Sequence, residues 1–375
     1  MKSRYHSEKL PGMLAFILIL VITVGCSGGS PAVEIVDREP GAVAAGIPDS
    51  AVFSSSEESQ ALIDSIAAAG DYILKYQLSN GALSYRVDLE GDNRDYNPSH
   101  IRLIAGTGAI YTVCRVTGED EYCQAGDRAL AYYLNRVVDG GDVFGGACFY
   151  AAGTCKIGGA ALAVDAIYKR WLATGETMLD GDNLLDTALQ LGDHMVWMRN
   201  PSGGFNHMVD PFEGGINPEY FVIYFNGESL MALLEIYEMT GDEYWLEQAH
   251  EINRHMLKQS VTQDHWHAYS FMYFAKLDKL SHADQIYATR IAQAIISYTK
   301  NLADNHSTIS TATKVEALAA IAIAFQTSGN EQDWLPPAIK AHADFIIARQ
   351  LPNNICELED LYEIERYAGG IYYNC

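Results

Sequence analysis

Three carboxylates stand at or near the starts of apolar stretches, where side chains can face a shared pocket: Glu228, Asp264 and Glu316. Cleaving a glycosidic bond needs this residue type in pairs. One carboxyl protonates the leaving oxygen while the other activates water or attacks carbon. The two groups lie about 5–5.5 Å apart in retaining enzymes and about 6.5–9.5 Å apart in inverting ones. His265 and His100 add imidazoles for a second chemistry, proton removal beside a sugar carboxylate, with Arg102 to hold the acid. Each carboxylate also has a plain structural alternative. Asn226 and Asp264 sit where helix N-caps belong, and Glu228 would then be a first-turn acid that complements the helix dipole. Glu316 lies between Val315 and Ala317, so its burial would demand a partner such as Lys314 or an arginine.

Aromatic residues gather in the same stretches. Tyr85, Tyr96, Phe205, Tyr220, Trp266 and Tyr372 are candidates to stack on the apolar face of a sugar ring. Arg102, His207, Asn226 and His267 are the polar side chains placed to read its hydroxyls. The alternative is that the aromatics pack the loop layer. His265 and His267 are two apart, and on a helix such positions diverge, so no metal centre is expected. No cofactor is called for either.

These residues must be positioned by helices. Apolar segments fall near 99–117, 157–174, 225–240, 265–280 and 311–328, alternating with amphipathic ones near 57–77, 120–137, 181–199, 243–259, 284–302 and 333–350. Trp245, Ala249, Ile252 and Met256 recur at helical spacing with charges between them. Gly118, Gly175, Gly241 and Gly329 each follow an apolar segment, where glycine accepts the left-handed conformation that stops a helix. At the other end of the hairpins, Gly203-Gly204-Phe205 and Gly369-Gly370-Ile371-Tyr372 repeat a Gly-aromatic turn, and Gly145-Gly146 is a looser copy. Strand character is expected only in brief pieces such as Ala82 to Val87.

The repeated hairpin resembles the six-hairpin glycosidase-like superfamily, the (α/α)6 toroids, over residues 57–375. The Phe225-Asn226-Gly227-Glu228-Ser229-Leu230 stretch through Tyr237 is similar to a segment of glucuronyl C5-epimerases. The resemblance implies an all-α toroid: an inner barrel of apolar helices wrapped by amphipathic ones, with the pocket at the end where inner helices begin. It implies action on a poly- or oligosaccharide, by a glycoside hydrolase-like enzyme, a uronate C5-epimerase or a polysaccharide lyase. A saccharide-binding or assembly lipoprotein is the non-catalytic alternative. The sequence ends at Cys375, where a sixth inner helix would begin; either the sequence is truncated or the toroid closes with eleven helices.

Composition narrows the partners. The chain has 375 residues, 49% of them hydrophobic, and a formal net charge of −23, which repels nucleic acid and anionic membrane surfaces. Lys2, Arg4 and Lys9 precede an apolar run from Met13 to Val24, too short to span a bilayer, then Gly25-Cys26. Residues 1–25 read as a bacterial export signal with Cys26 lipidated, and residues 26–56 as a tether. The expected location is the cell envelope, with a monomer held to the membrane through the N-terminal lipid alone. Export turns the other six cysteines into a disulfide question. Sequential pairs 114/123, 148/155 and 356/375 are preferred, although six cysteines allow fifteen connectivities and buried thiols are the alternative.

Overall fold

The computed structural model describes residues 56–85, 99–300, 308–352 and 368–371. Eleven helices fall there, in the expected alternation. The amphipathic helices are α1 (Ser56–Tyr76), α3 (Asp120–Leu134), α5 (Leu184–Trp197), α7 (Glu243–Met256), α9 (His282–Tyr298) and α11 (Leu335–Ile347). The apolar ones are α2 (His100–Thr117), α4 (Ile157–Thr174), α6 (Phe225–Thr240), α8 (His265–Lys276) and α10 (Thr308–Thr327).

The apolar helices pack on one another in chain order, α2 on α4, α4 on α6, α6 on α8 and α8 on α10, and form the inner layer. Each is covered outside by its amphipathic neighbours, so every face must be apolar. In α4 the run Ile157 to Tyr168 is buried throughout. In α7, by contrast, Trp245, Ala249, Ile252 and Met256 are buried while Glu243, Glu247 and Arg254 face solvent. That one-sided burial is what the helical spacing demands. By composition α10 is long and apolar enough to cross a bilayer, yet it packs between α8, α9 and α11 as a core helix.

The stops behave as expected. Gly118, Gly175 and Gly241 are left-handed C-caps with φ of 74°, 74° and 68°, and each N–H returns to the last turn of its helix. The outer layer closes on itself. Gln350, just after α11, donates to the Ser65 carbonyl of α1 at 2.7 Å. Gly369 lies so close to the Ala68 carbonyl that a side chain there would collide with it. The helices therefore form a ring and not an open superhelix.

Strands are few but lie elsewhere than expected. Ala82 to Tyr85 form no strand: Leu78 N–H bonds Ala82 O at 2.8 Å in a tight turn, and Leu83 N–H donates to the Tyr133 hydroxyl at 3.0 Å. Alternation there reflects packing against α3. The sheet is instead antiparallel, in the order β1-β2-β3-β6, from β1 (Val137–Asp139), β2 (Ala147–Ala151), β3 (Thr154–Lys156) and β6 (Met208–Val209). A separate hairpin joins β4 (Met178–Leu179) to β5 (Asp182–Asn183). The Gly145-Gly146 turn feeds β2, and β3 runs directly into α4, so the sheet braces the start of that inner helix. Disulfides join Cys114 to Cys123 and Cys148 to Cys155, two of the sequential pairs. Cys356 and Cys375 lie outside the described residues, as do the leader, Cys26 and most of the tether.

Candidate active site

The inner helices run parallel, so their first turns meet at one end of the barrel. Gly158 and Phe225, near the starts of α4 and α6, lie beside Glu228, and Gly227 lies beside Asp264 at the start of α8. A Cβ at Gly158 would collide with Glu228 Oε2, and one at Gly227 with Asp264 Oδ2. Glycine at these two positions makes room for a carboxylate.

Glu228 and Asp264 form the upper tier of the barrel. They are 6% and 1% exposed, and Glu228 Oε2 and Asp264 Oδ2 have no hydrogen-bond partner among the described residues. Burial, together with the negative charges of Asp264 and Asp165, pushes Glu228 well above the usual carboxylate range. Burial raises Asp264 to about 7, with the backbone N–H groups of Trp266 and His267 opposing the rise. Asp264 is indeed an N-cap, accepting the Trp266 N–H at 3.0 Å through Oδ1. Asn226 is not a cap: Tyr224 holds that place, and Asn226 lies inside the first turn of α6.

Two turns deeper lies a second tier that sequence reasoning missed apart from Glu316. Lys169 of α4 donates to Asp165 Oδ2 at 2.9 Å, and the Tyr273 hydroxyl of α8 donates to Glu235 Oε1 of α6 at 3.1 Å. Asp165 and Glu235 are 1% and 0% exposed. Burial and the neighbouring Asp165 keep Glu235 protonated well past its usual range. Burial also acts against the Lys169 charge, but Asp165, Glu235 and Glu316 outweigh it and hold the lysine protonated. Glu316 joins this tier through Tyr269, not through the expected Lys314. Burial lifts it to about 8, opposed by Lys169 and by a hydrogen bond from Tyr269. Lys314 instead bonds Ser310 and lies over the Tyr298 ring at 4.4 Å, because its side chain reaches back up the helix. The missed residues did leave a signal: Asp165 and Glu235 are single acids inside otherwise apolar inner-helix runs.

The histidines divide. His265 faces the barrel, its ring 4.4 Å from Trp266 and 6.3 Å from both Tyr224 and Tyr269. Burial and the Lys169 charge lower it to about 3, so it is neutral. His267 turns outward, bonding Asn253 Oδ1 at 2.9 Å, as the two-residue spacing requires. His207 accepts the Val222 N–H at 2.9 Å on Nδ1, which leaves Nε2 to donate to Asn226 Oδ1 at 3.4 Å. Asn226 Oδ1 also accepts the Phe205 N–H at 3.2 Å. These contacts spend the polar atoms of His207 and Asn226 on holding the loop before α6. Phe205 is buried beneath Arg199, and Tyr220 carries Lys156 on its ring at 5.2 Å. His100 packs on Tyr133 of α3, and Arg102 donates to the Tyr85 hydroxyl at 2.5 Å, a separate cluster on α2. Tyr96 and Tyr372 lie outside the described residues. The loop before α6 exposes two aromatics not singled out in the sequence, Phe221 at 68% and Tyr224 at 45%.

Among the described residues, no group of three or more His, Cys, Asp or Glu is arranged to hold a metal ion. No family model matches the chain, and no curated protein matches it. Solved structures do. A sugar epimerase from a ruminal bacterium aligns over 79% of this chain and 87% of its own, at 15% identity and a TM-score of 0.58. Cellobiose 2-epimerase from Bacillus thermoamylovorans B4167 aligns over 78% and 88%, at 13% identity and a TM-score of 0.57. A family 76 glycoside hydrolase (mannosidase) from Bacteroides thetaiotaomicron VPI-5482 aligns over 73% and 82%, at 15% identity and a TM-score of 0.51. The fold is the (α/α)6-type toroid. At these identities the likeness carries the toroid's architecture, and the chemistry rests on the side chains of this chain.

Proposed function

We propose that this protein is an exported, lipid-anchored carbohydrate-active enzyme that cleaves glycosidic bonds in a poly- or oligosaccharide by carboxylate acid–base chemistry. One observation carries the reading: Glu228 and Asp264, at the starts of adjacent inner helices, are buried with an oxygen each left unpartnered, a state they share with Asp165 and Glu235 two turns deeper. Unpaired buried carboxylate oxygens are costly to a fold, and an active site is where such a cost is tolerated.

The two environments suit two roles. Glu228, pushed well above the usual carboxylate range by burial and by the neighbouring Asp264 and Asp165, serves as general acid. Asp264, raised to about 7, is substantially ionised there and serves as the base that activates water or as the nucleophile. An imidazole base is less suited, because His265 and His267 are lowered to about 3 and are too weak to take a proton from carbon efficiently. Trp266 and Tyr224 beside His265 offer the stacking face for a sugar ring. The comparison structures are described as acting on sugars and support the substrate class.

A glycan-panel screen on the purified chain tests the reading, followed by Glu228→Gln, Asp264→Asn and Glu316→Gln. Glu228→Gln and Asp264→Asn are each expected to lower turnover by about 10²–10⁴-fold while the helical circular-dichroism spectrum is unchanged. Turnover unaltered in both folded variants would remove the assignment.

A further inference from the structure

We propose that the toroid holds a blind pocket, floored by Lys169, Glu316 and Tyr269, that receives the non-reducing terminal sugar of a saccharide through two adjacent hydroxyls, so that the enzyme works from chain ends. The inference rests on the carbohydrate reading above and adds where the sugar sits and which end of the chain enters.

Burial along the inner helices outlines the pocket. On α8, Trp266 and Tyr269 are half-buried while every other residue from His265 to Ala275 is buried, and Tyr273, one turn past Tyr269, is 6% exposed. On α10 the half-buried Ile309, Thr313 and Glu316 share one helix face, which closes at Ala320. On α2 the half-buried Ala105 and Ala109 are followed by the buried Thr112. These faces turn to the inside of the ring. Tyr269 bonds Glu316 across it, and Gly108, beside Ala109, packs against Asp165 and Lys169. Room therefore runs inward from the first turns and stops below Glu316. Beneath it the Tyr168 hydroxyl donates to Glu238 and that of Tyr273 to Glu235, which plugs the barrel.

The floor can read a pair of hydroxyls. Lys169 reaches it from α4 with a side chain 25% exposed, although Asp165, Glu235 and Glu316 surround the charge. Its ammonium has three donors, and Asp165 accepts the one bond it makes among the described residues. Asp165, Glu228, Glu235 and Asp264 are all buried, whereas Glu316 is half-buried. Burial lifts Glu316 to about 8, so near neutral pH its carboxyl keeps a proton and offers an acceptor as well as a donor. A lysine that only donates beside a carboxyl that accepts is the complement of two neighbouring sugar hydroxyls. Trp266 and Tyr269 supply an aromatic wall for the ring, and Ala105 and Ala109 leave it space. A unit inside a chain would have to continue through the plug. The non-reducing terminal unit is linked only through its anomeric carbon, so the far edge of its ring carries free adjacent hydroxyls. Its linkage to the next unit then lies toward the end of the barrel where Glu228 and Asp264 stand.

Titration calorimetry of the full chain tests the proposal independently of turnover. The probes are tetrasaccharides of β-1,4-glucose, α-1,4-glucose and β-1,4-mannose. Each is used free, reduced to the alditol at the reducing end, or capped at the other end as the 4,6-O-ethylidene acetal. The tetrasaccharide that binds most tightly is expected to bind equally well when reduced and at least about tenfold more weakly when capped. Glu316→Ala should lose about tenfold in affinity for the free form and nothing for the capped form, which is already shut out. Glu316→Gln keeps a donor and an acceptor and should retain the affinity within about threefold. Ala109→Leu, which fills the same room from α2, should give the same selective loss without touching Glu316. Free and capped forms binding alike, or a loss on reduction in place of capping, overturns the chain-end assignment and leaves the carbohydrate reading standing. An equal loss for both forms in Glu316→Ala and Ala109→Leu overturns the pocket. No binding by any tetrasaccharide removes this inference, whereas turnover in the glycan panel would still uphold the proposed function.

Discussion

Asp264→Asn separates a working carboxylate from a capping one, because the two roles give opposite results for stability. Asparagine caps a helix as well as aspartate, so the Oδ1 bond to the Trp266 N–H survives. The buried charge is lost. Asp264 is held near 7 in the folded chain against about 3.9 unfolded, a raised value. A raised group contributes stability in full below the unfolded value and loses it as pH rises to the folded one. Three pH units at about 1.36 kcal/mol each give about 4 kcal/mol lost between about pH 4 and 7 in the natural chain. The variant has no such slope at this position. At about pH 8 it is expected to be the more stable protein by up to about 4 kcal/mol, or roughly 8 °C in melting temperature at about 2 °C per kcal/mol. Near pH 4 the two should coincide. Urea unfolding at three pH values, followed by circular dichroism, measures the difference, and the same samples report turnover. Parallel pH profiles, or a variant weaker at pH 8, would refute the argument that burial makes Asp264 costly. Greater stability with lost turnover is the pattern of a functional charge.

Other perturbations probe the remaining parts. Lys169→Met strands the Asp165 carboxylate in a dry barrel and should cost about 3–5 kcal/mol, whereas adding Asp165→Asn should recover most of it in the same denaturation assay. Gly158→Ala puts a methyl group against Glu228 Oε2 and the Phe225 ring; about 1–3 kcal/mol of stability and most of the turnover should go together. Replacing Cys148 and Cys155 by serine opens a short loop behind α4, with an expected loss of about 2.5 kcal/mol on chain-entropy grounds, checked by melting with and without reductant. Trp266→Ala should raise KM more than it lowers kcat, since stacking binds ground state and transition state alike.

The layering of the toroid was open to sequence reasoning because each helix declares its surroundings. An outer helix such as α7 keeps one buried stripe, while α4 and α10 are apolar all round, which only an inner position can satisfy. The Gly118, Gly175 and Gly241 stops fixed where each hairpin turns. The small sheet was not visible, since strands of two to five residues carry too few alternations to be told from turns. The positions of Glu228, Asp264 and His265 at helix starts were readable because such starts leave a local signal. Asp165 and Glu235 stood out locally only as single acids in apolar runs; that they gather with Lys169 and Tyr273 depends on three helices meeting two turns further in, which no local pattern encodes. His207 and Asn226 are polar and near the start of α6, and their hydrogen bonds to each other and to the loop backbone were equally beyond a local pattern.

The two tiers differ in what holds their charge. Glu228 and Asp264 sit at the first turns of α6 and α8, where free N–H groups and the positive dipole end favour an anion. Asp165, Glu235 and Glu316 lie two or more turns inside, beyond the reach of that field. They depend instead on Lys169 and on the hydroxyls of Tyr273 and Tyr269. Both tiers keep unpartnered oxygens, Asp165 Oδ1 and Glu235 Oε2 below and Glu228 Oε2 and Asp264 Oδ2 above, but only the lower tier has a lysine and tyrosine hydroxyls bonded to its carboxylates. A group that exchanges protons with a substrate must lie where a substrate can come, and among these five carboxylates Glu228 and Asp264 stand nearest the end where the inner helices begin, which is the ground for proposing them.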